Sequence, residues 1–184
     1  MDTADRRIAL LTIHHANSYG GLLQAFATIA CLKDHGSVHL LDYRKPALSD
    51  GLRPIRWGAK HPRDLLRVGK DLLRYRARRS LVEKFERFIG AHFPLSNSFS
   101  CVEQGAREVE RLNISHLICG SDQIWNPNVT GGLDENFLLA FPTKAIKSSI
   151  SSSAGSYNFK GAEACRLAEA LQAFENIAVR EEDL

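Results

Sequence analysis

An α/β fold, with a parallel sheet flanked by helices, is predicted by three features of the sequence. These are a short apolar run at 8–13 that ends in polar and glycine residues, a helical repeat of apolar residues behind it, and a second apolar run at 38–43. Together they make one βαβ unit of the usual size, for which the crossover is right-handed. The chain has 184 residues, 44% of them hydrophobic, enough to bury a core within one domain over residues 1–184.

In the first helix, Leu22, Phe26, Ile29 and Leu32 recur at helical spacing until Gly36, a residue suited to a helix C-terminus. Residues 44–62 carry prolines, glycines and charges and read as a long loop. Residues 63–91 read as helical, with Leu65, Leu66, Leu72, Leu73, Leu81, Phe85, Phe88 and Ile89 in a broken apolar stripe and a hinge expected near residues 78–80. This stretch lies within an arginine-rich excursion from the sheet at about 53–91. A helix over 101–112 precedes a strand at 115–119. A strand at 145–153, a helix at 161–174 and a last strand at 176–179 complete a Rossmann-like alternation.

Composition narrows the function classes. Net charge is only +3, and the arginines alternate with a leucine stripe as on the solvated face of an amphipathic helix, so nucleic acid is not an expected partner. No apolar run is long enough for a transmembrane helix, and the charged residues 1–7 are not a signal peptide, so a cytoplasmic location is expected. Cys31, Cys101, Cys119 and Cys165 are widely spaced without ligand partners at metal spacing, so reduced structural thiols are expected, with no metal and no resident cofactor.

In a parallel sheet the loops after the strand ends meet in one crevice, so the loops at 14–21, 120–127 and 151–156 are expected to converge. In the first loop, small residues including Gly20 precede a helix whose free amides favour an anion or a hydroxyl. It is not GxGxxG, which argues against a dinucleotide, although Asp42 stands where a ribose-binding acid would be and otherwise reads as a satisfied loop carboxylate. His14 and His15 are candidate proton carriers or hydrogen-bonded structural residues. Gln24 either points back to the loop or lies on the helix surface.

The run GSDQIWNP at 120–127 sets a carboxylate, two amides and an indole after a buried strand, the kind of set that binds sugars. Asp122 is a candidate base or a helix cap. Trp125 is a stacking platform or core. Ser121, Gln123 and Asn126 add polar groups. Ser151, Ser152 and Ser153 lack a nucleophile elbow and suit hydrogen bonding to ligand or backbone.

Taken together, IALLTIHHANSYGGLLQ at 8–24, LDYR at 41–44, FERF at 85–88, ICGSDQIWNP at 118–127, the serine-rich stretch 149–155 and VREE at 179–182 resemble the polysaccharide pyruvyl transferase family in content and order. Ser18 stands where the family commonly has asparagine, Gly21 where alanine is usual, and 149–155 lacks the family's aromatic residue.

The resemblance implies the N-terminal half of a two-domain, glycosyltransferase-like (GT-B-like) architecture whose C-terminal half is absent from this chain. It implies transfer of pyruvate from phosphoenolpyruvate, the donor substrate, to hydroxyls of a glycan or lipid-linked saccharide acceptor as a ketal, in the making of cell-surface or exopolysaccharide. On that basis Asp122 and His14 are the expected catalytic residues. Asn17, Tyr19, Gly20, Gln24, Ser121, Gln123, Trp125, Asn126 and Ser153 are expected to bind substrate, and Arg180 to touch the donor phosphate. A C-terminal half in cis or trans and a homo-oligomer are the expected protein partners. A catalytically silent sugar- or nucleotide-binding module of the same fold is the alternative.

Overall fold

A computed structural model describes residues 6–15, 18–45, 48 and 62–181, with side chains excepted over 62–67. Its sheet has five strands, all parallel: β1 (Arg7–Leu11), β2 (Ser37–Leu40), β3 (His116–Gly120), β4 (Ile146–Ser152) and β5 (Asn176–Val179). Their spatial order is β2-β1-β3-β4-β5, so the direction of winding reverses between β1 and β3. Ligands of open parallel sheets bind outside the strand ends at such a reversal. The Rossmann-like alternation expected from the sequence is therefore present.

Helix α1 (Tyr19–Lys33) starts where Ser18 caps it, the serine hydroxyl accepting from the Gly21 amide. Its Leu22, Ala25, Ile29 and Leu32 pack on Ile8, Leu10, Val38 and Leu40, and Phe85, Ile89 and Phe93 close that layer. The opposite face of the sheet, through Ala9, Leu11, Leu117 and Cys119, is covered by α4 (Val102–Arg111), by α6 (Gly161–Leu171) and by the aromatic segment holding Phe137 and Phe141. A four-residue helix, α5 (Pro127–Thr130), was not foreseen; Asn126 caps it and Pro127 opens it.

Two boundaries moved. The helical excursion breaks into α2 (Pro62–Leu73) and α3 (Tyr75–His92) at Arg74, not at 78–80, and the Asp71–Arg78 ion pair spans the break. The second strand stops at Leu40, after which residues 94–99 pair alongside 40–44 through the bridges Leu40–Leu95 and Tyr43–Phe99. Most of the loop expected at 44–62, including the first part of the arginine-rich excursion, lies outside the described residues.

Candidate functional site

The loops at the C-terminal ends of β1, β3 and β4 are joined by short contacts. Ser153 N–H donates to the Asp122 carbonyl at 3.2 Å, and Trp125 N–H donates to the Ser153 carbonyl at 3.1 Å. The Thr28 hydroxyl of α1 donates to Ser121 Oγ at 3.0 Å. On the other side, Asp122 Oδ2 lies 3.6 Å from where a Cβ on Gly21 would stand, which sets this carboxylate against the first turn of α1. The crevice expected from the sequence thus has a common floor.

That floor is strained. Gly120 (φ 133°) and Ser121 (φ 63°) both sit at positive φ, as does Ser151 (φ 49°) across the β3–β4 pair. A Cβ on Gly120 would lie 2.1 Å from the Ile150 carbonyl oxygen, so only glycine fits. Non-glycine residues held at positive φ concentrate at ligand sites.

Asp122 is half-buried. The Gln123 amide donates to its Oδ1 at 2.7 Å, and its Oδ2 accepts no hydrogen bond among the described residues. Ser153 is fully buried, accepts from the Gly155 amide and donates to Glu181 Oε1. The other oxygen of Glu181 is buried without a partner among the described residues. Arg180 anchors the end of β5 through its amide on the Ser152 carbonyl and is exposed. Tyr19 is 65% exposed and rests on Phe85, with ring centroids 4.8 Å apart. Gly20 is exposed in the first turn of α1 and Gln24 is half-buried one turn on. Asn17 lies outside the described residues.

Three expected site residues are used otherwise. Trp125 is 1% exposed and its indole N–H donates to the Phe137 carbonyl at 3.1 Å, so neither ring face is open to a sugar. Asn126 caps α5 with its oxygen and donates its amide to Gln123 Oε1, which also commits Gln123 in part. His14 is 2% exposed, with Nδ1 3.0 Å from the Thr12 carbonyl and Nε2 3.2 Å from Asp42 Oδ1. Both ring nitrogens are thus engaged within the protein, and the buried ring does not open toward the crevice.

His14 belongs to a second cluster, at the ends of β1 and β2. His15 Nε2 lies 2.8 Å from Asp42 Oδ1, a terminal nitrogen of Arg44 donates to Asp42 Oδ2 at 3.0 Å, and Arg44 Nε forms an ion pair with Asp42 Oδ1 at 2.7 Å. The other terminal nitrogen donates to His15 Nδ1 at 3.0 Å. A guanidinium has no acceptor, so His15 holds its proton on Nε2 and is neutral. Burial lowers the His15 pKa, the Asp42 hydrogen bond opposes that, and His14 and Arg44 lower it further. Burial would raise Asp42, but hydrogen bonds from His14, His15 and Arg44 outweigh it and hold the carboxyl well below the usual range.

The ligand atoms of His14, His15 and Asp42 lie within 4.8 Å of one another, spacing compatible with a metal. Arg44, however, already occupies Asp42 and fixes His15 in the tautomer whose Nε2 has no lone pair to give. Arg44 and Glu181 were not named as site residues from the sequence, where the LDYR and VREE runs were the available signals, whereas His15 was a candidate proton carrier or structural residue and is used structurally. No family model, curated protein or solved structure matches the chain, so its function has to be argued from this geometry and from its sequence motifs.

Proposed function

We propose that this chain is the acceptor-binding half of a polysaccharide pyruvyl transferase, N-terminal in a GT-B-like pair, and that Asp122 is its base. The observation that carries the reading is the Asp122 carboxylate, anchored through Oδ1 with Oδ2 unengaged, at the winding reversal of a parallel sheet. The motif GSDQIWNP, which holds this residue, is also the most specific part of the resemblance.

In ketal formation a proton adds to the methylene carbon of phosphoenolpyruvate, two sugar hydroxyl oxygens bond to its C2, and phosphate leaves. The two hydroxyl protons balance the one taken by carbon and the one taken by phosphate. Asp122 receives a hydroxyl proton, while Tyr19, Gln24 and Ser121 border the acceptor and Arg180 faces the donor phosphate. The donor's remaining cations come from a second half-domain, in cis or trans.

The test is phosphate release from phosphoenolpyruvate with a panel of glycan acceptors, using this chain together with its complementary half. Asp122→Asn is expected to lower the rate by roughly 100-fold or more, the usual worth of a positioned base. An undiminished rate in that variant would remove Asp122 from the mechanism. A silent sugar- or nucleotide-binding module is favoured by one observation, the engagement of both His14 nitrogens. Glycan binding without release under any condition would select it.

A further inference from the structure

We propose that Arg44 is an oxyanion-binding residue, presenting the outer edge of its guanidinium to a phosphate monoester or carboxylate above the ends of β1 and β2. The LDYR run that contains it plays no part in the chemistry assigned to Asp122. Assigning the anion to the donor, phosphoenolpyruvate, rests on the transferase reading; the binding site itself does not.

Three features of the cluster carry the inference. The first is orientation. Arg44 is fixed by two hydrogen bonds, one from each terminal nitrogen, to Asp42 Oδ2 and to His15 Nδ1, and by the ion pair of Nε with Asp42 Oδ1, which leave one N–H on each terminal nitrogen unspent among the described residues. A guanidinium immobilised in this way loses little entropy on taking an anion with its remaining fork.

The second is charge. Among the described residues Asp42 is the one carboxylate in the cluster, and Arg44, His14 and His15 all contact it, so no second acid competes for the outer edge of the guanidinium. His15 is neutral and adds no negative charge. The guanidinium keeps its own charge beside largely buried partners, where its attraction for an anion is screened less than in water.

The third is access. The side chains of His14, His15 and Asp42 are buried, whereas that of Arg44 is 45% exposed, so the positive charge reaches solvent through this one residue. It does so at the C-terminal edge of the sheet, beside the loop that leads into α1.

The experiment uses titration calorimetry at low salt, with inorganic phosphate, phosphoenolpyruvate and pyruvate as probes. Arg44→Gln is compared with Arg44→Lys and with Arg166→Gln, which removes a surface charge elsewhere. At least tenfold weaker binding is expected for Arg44→Gln, an intermediate loss for Arg44→Lys and no change for Arg166→Gln. In the unaltered protein, phosphate should protect Arg44 from phenylglyoxal, as read by peptide mass, which removes any dependence on how the variants fold.

Failure of the unaltered protein to bind any of the three probes, or modification of Arg44 at the same rate with and without phosphate, would overturn the site. Binding of phosphate that depends on Arg44, without phosphate release by the paired halves, would keep the site and reject the transferase reading. Release that survives Arg44→Gln at full rate would keep the transferase reading and overturn the assignment of this anion to the donor.

Discussion

At the scale of single residues, His15 links the geometry to pH. Its pKa is lowered in the folded chain, chiefly by burial, so the unfolded chain binds its proton first as pH falls. A lowered histidine pKa contributes stability that is fully present above about pH 6.5, the unfolded value, and is lost as pH drops below it. Asp42 acts in the same direction at lower pH, and so does His39, lowered by burial and by Arg7 and Arg111. The urea midpoint should therefore fall between about pH 7.5 and pH 5.5, and His15→Gln should flatten that slope. An equal slope in the variant would mean that His15 titrates freely.

The cysteines give a second check at this scale. Burial pushes the Cys119 thiol up to about 12, whereas Cys31 and Cys165 are exposed. Brief iodoacetamide treatment of the native chain should label Cys31 and Cys165 and spare Cys119 until urea is added. The sequence offered no means of separating these thiols, because spacing carries no information on depth. Trp125 and His14 have the same history. Residue type and loop position marked them as candidates, but only the Phe137 carbonyl at the indole N–H, the edge of Phe174 against the indole and the position of Asp42 opposite the imidazole decide their use.

At the scale of elements, run length and punctuation located the five described strands, of which β1 to β3 are the short, largely buried apolar runs usual in parallel sheets. The shifted hinge at Arg74 and the unforeseen α5 are local features. The short helix is set by the Asn126 cap and the break is spanned by the Asp71–Arg78 ion pair, and periodicity reports neither. Helix α4 makes the point testable. A Cβ on its Gly105 would stand 2.3 Å from a ring carbon of Phe141 and 2.8 Å from one of Phe99, so the glycine lets the helix approach the aromatic layer. Gly90, near the end of α3, has no atom within 4 Å of that position. Gly105→Ala should cost about 1–3 kcal/mol through overpacking. Gly90→Ala should stabilise by about 0.5–1 kcal/mol, because alanine loses less freedom than glycine in a helix. Equal effects at the two sites, measured by chemical denaturation, would contradict the packing of α4.

At the scale of the whole molecule, the coverage of the sheet is uneven. Ile118 pairs with Ser148, so Ile146 and Ile150, each two residues from Ser148, share the face of Ile118, which is the α1 face. Helices α1 and α3 cover that face over β1 and β2, yet Ile146 and Ile150 are exposed and every residue of β5 is exposed. Parallel sheets are normally covered on both faces, and an open edge strand offers unpaired backbone groups to other chains. An apolar face of this kind favours association. The chain should therefore self-associate in sedimentation velocity over about a hundredfold range of concentration, with the shift set by mass action. Ile150→Lys places a charge on the bare face while leaving in place the backbone carbonyl that accepts the Ser121 amide, and it should return the chain to a monomer while leaving its unfolding midpoint nearly unchanged. A monomer at all concentrations, with and without the lysine, would mean that β4 and β5 tolerate water on this face, and the second half-domain of the proposed transferase would then have to dock elsewhere.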